Sequence, residues 1–134
     1  MKVKFLKIRT KKDKRGDLGI IEYKNLPFKI KRTYFLNKMP LDTFRAGHAH
    51  KKLNQLIICL NGKAILKLCD GIKTKKIILN KNSDQCLWLK PGLWREIVNL
   101  HKETVLMVLA SESFEEKDYI RDFNLFLKFI SINK

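Results

Sequence analysis

Residues 56–60, 64–69 and 76–79 are short apolar or half-apolar runs, separated by Asn61-Gly62 and Asp70-Gly71. Runs of this length are too short for stable helices, and Asn-Gly and Asp-Gly accept the positive φ angles of tight turns. Three antiparallel strands joined by two hairpins are therefore predicted. The pattern continues with residues 85–89, a turn at Pro91-Gly92, residues 94–99, and a wholly apolar run at 104–111 suited to a strand buried on both faces. Upstream, residues 3–8 alternate weakly, and a charged turn at 10–17 leads into the apolar run 17–23. Residues 25–27 then break the chain before a strand over 28–36, in which Phe28, Ile30, Arg32, Tyr34 and Leu36 share one parity. Short strands at near-regular spacing, punctuated by turns, mean an all-β sandwich or barrel. Only the end reads as helix. Ser113 and Glu116 have capping-box spacing, and Tyr119, Phe123, Phe126, Leu127 and Ile130 recur at helical intervals, with a break expected near Asp122.

A chain of 134 residues with no linker, repeat or low-complexity tract fits one domain, residues 1–134. No signal-peptide-like start and no long apolar run is present, so a cytoplasmic protein with no membrane contact is expected. Cys59, Cys69 and Cys86 lie in apolar segments without a C-x-x-C pair and read as small buried hydrophobes. The formal charge of +16 raises nucleic acid as a partner. Against it, the charge is mostly lysine, scattered, and not interleaved with aromatics, which excludes the usual arginine forks and stacking faces. A basic surface does suit a small phosphorylated anion.

His48 and His50 stand two residues apart before the apolar strand, so both imidazoles face the same side. They follow the spacing of the first cupin signature, H-x-H, then an acid, then Gly: Gln55 comes after four residues and Gly62 after six more. In the second signature, Gly92 is followed after two residues by Arg95 and after three more by Asn99. The fold expected is thus the cupin double-stranded β-helix, a jelly-roll barrel, with a short C-terminal helix. Both signatures lose a metal ligand here. A neutral amide replaces the acid and a permanently charged guanidinium replaces the histidine, so a site without metal is expected, favouring an anion instead. The histidines are then left for proton transfer, which a placed imidazole performs near neutral pH. Tyr34, on a cavity-facing strand, is a candidate acid or base, or else a half-buried aromatic with its hydroxyl satisfied.

Asp13-x-Arg15-Gly16, the run KIKRTYFL before R-x-G-H-A-H-K, the segment LWLKPGLWRE and the stretch VLASESFEEKDYIRDFNLFL together resemble the dTDP-sugar 3,4-ketoisomerases, the FdtA/QdtA-like (WxcM-like) group of deoxysugar biosynthesis. The one departure noted is Ala46, where that group commonly has glycine. The resemblance implies conversion of dTDP-4-keto-6-deoxyglucose to a dTDP-3-keto-6-deoxyhexose through an enediol, with no cofactor. It implies His50 as principal base, His48 as proton shuttle or orienting group, and Tyr34 beside the sugar. Arg45 would hold the diphosphate or an enediolate oxygen, Arg15 would assist from an exchanged strand, and Lys51, Gln55, Trp94 and Arg95 would line the pocket. A homodimer with exchanged N-terminal strands is implied as well. The rival readings are a dTDP-sugar 3,5-epimerase and a ligand-binding cupin without turnover.

Overall fold

The structure, a computed structural model that describes every residue except Lys2, Asn82, Ser83 and Lys134, turns these runs into strands. They are β1 (Lys4–Lys7), β2 (Arg9–Asp13), β3 (Gly16–Ile20), β4 (Arg32–Leu36), β5 (Phe44–His50), β6 (Gln55–Asn61), β7 (Lys63–Cys69), β8 (Thr74–Asn80), β9 (Gln85–Leu89), β10 (Trp94–Asn99), β11 (Val105–Ala110) and β12 (Tyr119–Ile120), followed by helix α1 (Phe123–Ile132). Two five-stranded antiparallel sheets face each other, in the orders β1-β9-β6-β11-β4 and β12-β5-β10-β7-β8, and β2 and β3 form a separate hairpin. This is a cupin-type jelly roll. Leu66, Leu68, Leu87, Leu89, Leu106 and Val108 fill the space between the sheets. Strand β11 is buried on both faces as expected: Leu106 and Val108 enter that core, whereas Leu109 packs outside with Leu56, Ile58 and Cys86.

The two Gly-containing turns do different jobs. β7 and β8 are a hairpin around Asp70, whose Oδ1 accepts from the backbone N–H groups of Ile72 and Lys73. β6 and β7, by contrast, do not pair: β6 bonds to β9 and β11, and β7 to β8 and β10. Asn61-Gly62 is therefore a corner where the chain passes from one sheet to the other, not the predicted hairpin. Gly62 has φ of 77°, and a Cβ there would stand 2.4–2.8 Å from Oγ1, Cα and N of Thr104. The corner needs glycine for the close approach as much as for the φ.

The C-terminal reading is shortened. Residues 113–122 do not start the helix; they hold a 3-10 turn (Glu116–Asp118) and then β12, which adds to the edge of β5 with Tyr119 opposite His50. Backbone pairing at an open sheet edge outweighs local helical periodicity. Helix α1 begins only at Phe123, capped by Asp122, whose side chain accepts from the Leu125 N–H at 2.9 Å. Its Phe126 is fully buried against Trp94 and Ile120.

At the other end, β1 pairs with β9 of its own chain, Phe5 opposite Leu87. The first strand thus has a partner without any exchange. The hairpin β2–β3 joins neither five-stranded sheet.

Candidate active site

Strand β5 carries the site because it is bulged. The pairing of β5 with β10 shifts between Arg95 and Glu96, so that Arg95 faces His48 while Glu96 faces Ala46. The residues there, Ala46 and Gly47, both have positive φ, 70° and 74°. A bulge breaks the in-out alternation of a strand, and Phe44, Arg45 and Ala46 consequently line one cavity together with His48. That cavity, of about 540 Å³, lies between the sheets, with Tyr34, Gln55, Arg95, Arg32, Tyr119 and Arg121 among its other lining residues.

A polar row crosses its floor. The Arg95 guanidinium, 2 % exposed, donates from Nη1 to Gln55 Oε1 and from Nε and Nη2 to the Leu93 carbonyl at 3.3 and 2.9 Å. A guanidinium only donates, which fixes the Gln55 amide with its oxygen toward Arg95 and its NH₂ toward Tyr34. Gln55 Nε2 donates to the Tyr34 hydroxyl at 2.7 Å, so the Tyr34 O–H is left free to donate elsewhere. Burial raises the Tyr34 pKa and keeps it a neutral donor. Burial also lowers the Arg95 pKa to about 10, which still leaves it charged at neutral pH.

The two histidines touch. His48 Nε2 and His50 Nε2 are 3.1 Å apart, and His50 Nδ1 is 3.0 Å from Asp118 Oδ2. Tyr119 packs against both rings, tilted to His48 and edge-on to His50, at 4.9 and 4.4 Å between centroids. Burial, followed by the charge of Arg95, lowers the pKa of His48 to about 4 and that of His50 to about 2. Both are neutral at pH 7. His48 forms part of the cavity wall, whereas His50 is fully buried behind it and does not line the cavity. The histidine expected as principal base, His50, is thus the inner of the two, and His48 is the one in the cavity wall.

The donor set does not fit a metal. The two histidines are hydrogen-bonded to each other, the third ligand position is an amide held by Arg95, and the fourth is Arg95 itself, a fixed cation. The electrostatics favour an anion: Arg32, Arg45, Arg95 and Arg121 line the cavity, and no carboxylate does among the described residues.

Of the expected site residues, His48, Tyr34, Arg45, Gln55 and Arg95 are brought together here. Trp94 is not. It neighbours Arg95 on a regular stretch of β10, so its side chain takes the opposite face, where it packs on Phe123 and Phe126 and donates from Nε1 to Glu96 Oε1. Lys51 is exposed just past the end of β5 and outside the cavity; its backbone N–H donates to the Asp118 carbonyl. Arg15 sits at the tip of the β2–β3 hairpin, its side chain 86 % exposed and paired with Asp13, and reaches no part of its own chain's cavity. Three polar cavity residues were missed: Arg32, Tyr119 and Arg121. Arg32 carried a signal, a cation on the apolar parity of its strand. Tyr119, like Asp118 behind the histidines, was hidden by the helical reading of its segment.

A jelly roll with a histidine pair at an arginine-lined cavity defines the class: a cupin-type fold without a metal-ligand set, whose cavity suits an anionic ligand. The comparisons make it particular. The FdtA model, described as WxcM-like, C-terminal, matches residues 1–131, and the chain belongs to this family. It is 41 % identical over 120 residues to TDP-4-oxo-6-deoxy-alpha-D-glucose-3,4-oxoisomerase of Aneurinibacillus thermoaerophilus, covering 89 % of this chain and 86 % of that enzyme. Among solved structures, it is similar to QdtA, a sugar 3,4-ketoisomerase of Thermoanaerobacterium thermosaccharolyticum in complex with TDP: TM-score 0.93, 39 % identity, with 98 % of this chain and 96 % of that one covered. A histidine-to-asparagine mutant of the same QdtA, in complex with TDP-4-keto-6-deoxyglucose, matches with TM-score 0.93 and 38 % identity over 97 % of this chain and 94 % of that one.

Proposed function

We propose that this protein is a sugar-nucleotide 3,4-ketoisomerase that converts dTDP-4-keto-6-deoxyglucose to the corresponding dTDP-3-keto-6-deoxyhexose. The observation that carries the reading is the hydrogen-bonded pair His48–His50, neutral at pH 7, with its outer ring in the wall of a cavity lined by cations. The C3 hydrogen of a 4-ketone is acidified by the adjacent carbonyl. His48 removes it and O4 takes up a proton, giving a 3,4-enediol. A proton is then delivered to C4 and the O3 hydroxyl proton is lost, leaving the carbonyl at C3 with no net change in atoms. Arg95 and the Tyr34 hydroxyl, both in the cavity lining, would steady the negative charge on the enediolate oxygens. Arg45 lies on the same strand beyond the bulge, opposite Ile97 where His48 is opposite Arg95, which sets the two roughly 7 Å apart along the sheet and supports Arg45 as a ligand for the diphosphate.

The reading includes a homodimer in which the β2–β3 hairpin delivers Arg15 to the partner's cavity. Its support is that the hairpin is unpaired with its own sheets and carries Arg15 at its tip. Sedimentation of the purified chain tests the dimer, and a mass of 15.8 kDa in solution counts against it.

The activity is tested by incubation with dTDP-4-keto-6-deoxyglucose in deuterated water. Ketoisomerisation moves the carbonyl to C3 and places deuterium at C4. A 3,5-epimerase labels C3 and C5 with the carbonyl unmoved, and a binding protein without turnover gives back the substrate unlabelled. Either of the last two results removes this reading.

A further inference from the structure

Asp118 touches neither the cavity nor any exposed surface, yet three donors converge on it. Oδ1 accepts from the Lys52 N–H at 2.7 Å, and Oδ2 from the Leu53 N–H at 3.3 Å and from His50 Nδ1 at 3.0 Å. Its residue is 6 % exposed, and His50 is fully buried. Two backbone N–H groups cannot accept, so the carboxylate is surrounded by donors and is itself acceptor only.

That fixes protons two residues away. If Asp118 accepts, His50 Nδ1 must carry the hydrogen, and the neutral ring then presents a bare lone pair at Nε2. Across 3.1 Å stands His48 Nε2, which must donate for the contact to be a hydrogen bond. The remaining lone pair of the pair is then on His48 Nδ1. His48 Nδ1 is buried with no partner that meets hydrogen-bond geometry among the described residues, and the Ala46 carbonyl beside the ring favours its protonated form, so His48 can take up a proton while its Nε2 stays bonded to His50.

We propose that Asp118 is a positioning residue that sets the tautomers of both histidines, His50 as Nδ1–H and His48 as Nε2–H, and so leaves His48 Nδ1 as the one free base of the pair. The proposal rests on the reading of His48 and His50 as the proton-transfer pair. In that reading His48 carries the proton between its removal and its return, while His50, the less readily protonated of the two, stays neutral and keeps the His48 ring in place. Asp118 bonds to no substrate atom and acts only through His50.

The first test uses the unaltered protein. Nitrogen NMR of histidine-labelled enzyme at neutral pH, with the signals assigned by His101→Gln and His48→Asn variants, is expected to show His50 as the Nδ1–H tautomer and His48 as the Nε2–H tautomer. The opposite tautomer at His50 overturns the proposal. The second is a double-mutant cycle. Asp118→Asn should lower kcat about 10- to 100-fold, the range for partners that orient a histidine, with KM within about two-fold. In a His50→Asn background the same change should cost under about two-fold, because the path through His50 is already cut. Equal losses in both backgrounds mean a merely structural carboxylate and overturn the proposal. An Asp118→Asn chain that fails to fold leaves the tautomer measurement to decide. Expected tautomers in a protein that does not move the carbonyl of the sugar would remove the ketoisomerase reading and keep the positioning; an active enzyme with other tautomers would do the reverse.

Discussion

Arg95 and Gln55 hydrogen-bond across the cavity floor, and each occupies the position at which the cupin sequence pattern places a metal ligand. A guanidinium in that position, held by Gln55 and by the Leu93 carbonyl, keeps a positive charge where a divalent cation would have to sit. The expected consequence is an enzyme indifferent to chelation. Dialysis against EDTA should leave kcat within experimental error, with no gain on adding back zinc, iron or manganese. Loss of activity that a metal restores contradicts the assignment of the site to proton transfer by side chains alone.

The depressed histidine pKa values give a pH signature. His48 titrates at about 4 because burial, and then Arg95, disfavour its charged form, so it remains a free base well into acid. The acid limb of kcat/KM is expected near pH 4, not near the ordinary 6.5, provided the fold persists. Folding sets a counter-trend. Below pH 6.5 the unfolded chain protonates these two histidines while the native chain does not, so the unfolded state binds more protons and stability falls as pH drops from 6.5 toward 4. Urea midpoints at pH 7.5, 6 and 5 should decline in that order, and His48→Asn should flatten the decline while lowering kcat about 10²- to 10⁴-fold.

Much of the fold was legible because a strand buried on one or both faces writes its period into the sequence. The spacing from His48 through Gln55 to Gly62, and from Gly92 through Arg95 to Asn99, located two walls of the cavity. Asn99 itself proves structural, its side chain donating to the carbonyls of Met39, Pro40 and His101. What the sequence hid were matters of pairing between distant segments. Asn61-Gly62 looks like any hairpin turn until the partners of β6 and β7 are known. Asp118 and Tyr119 sit in a segment whose apolar spacing suits a helix, and only the open edge of β5 turns it into a strand. Trp94 against Arg95 is different: strand alternation alone forbids both from facing the same cavity, and that argument was available from the sequence.

The corner at Gly62 should be intolerant of any side chain. Gly62→Ala combines left-handed backbone strain with overlap against the Thr104 backbone and hydroxyl, and Thr104 Oγ1 is itself held between the Lys63 N–H and the Lys63 and His101 carbonyls. Strain and overpacking together suggest a loss of about 2–6 kcal/mol. Chemical denaturation checks this, and a midpoint equal to the parent's would mean that the two sheets can part at this corner without cost.

Ala46 is the converse case, a residue with a Cβ at φ of 70° in the β5 bulge. Left-handed conformation costs a non-glycine residue about 1–2 kcal/mol, partly offset by the greater chain entropy that glycine loses on folding. Ala46→Gly is therefore expected to stabilise the protein by about 0.5–1 kcal/mol, read as a raised denaturation midpoint, with kcat little changed because His48 and Arg95 keep their register. A lower midpoint would show that the methyl group's packing against the core outweighs the strain.

Arg32 ties stability and binding together. Its Nε and Nη2 are buried without a hydrogen-bond partner among the described residues, although the guanidinium lies 5.3 Å over the Tyr34 ring and 5.8 Å over Phe114 and lines the cavity. A buried charged donor left unsatisfied costs the free protein stability, on the order of 1–3 kcal/mol, and a phosphate or sugar oxygen that accepts from it recovers that cost on binding. Arg32→Met, which keeps most of the apolar stem, should leave the empty protein as stable as the parent or more so. The same change should raise KM for the sugar nucleotide about 10-fold or more, the effect of losing one charge-assisted hydrogen bond. Measuring the denaturation midpoint with and without saturating dTDP-sugar separates the two effects: the ligand-induced shift should shrink in the variant. A variant that loses stability when empty and keeps the full ligand shift would place Arg32 in the scaffold, its donors satisfied within the protein and not by the substrate.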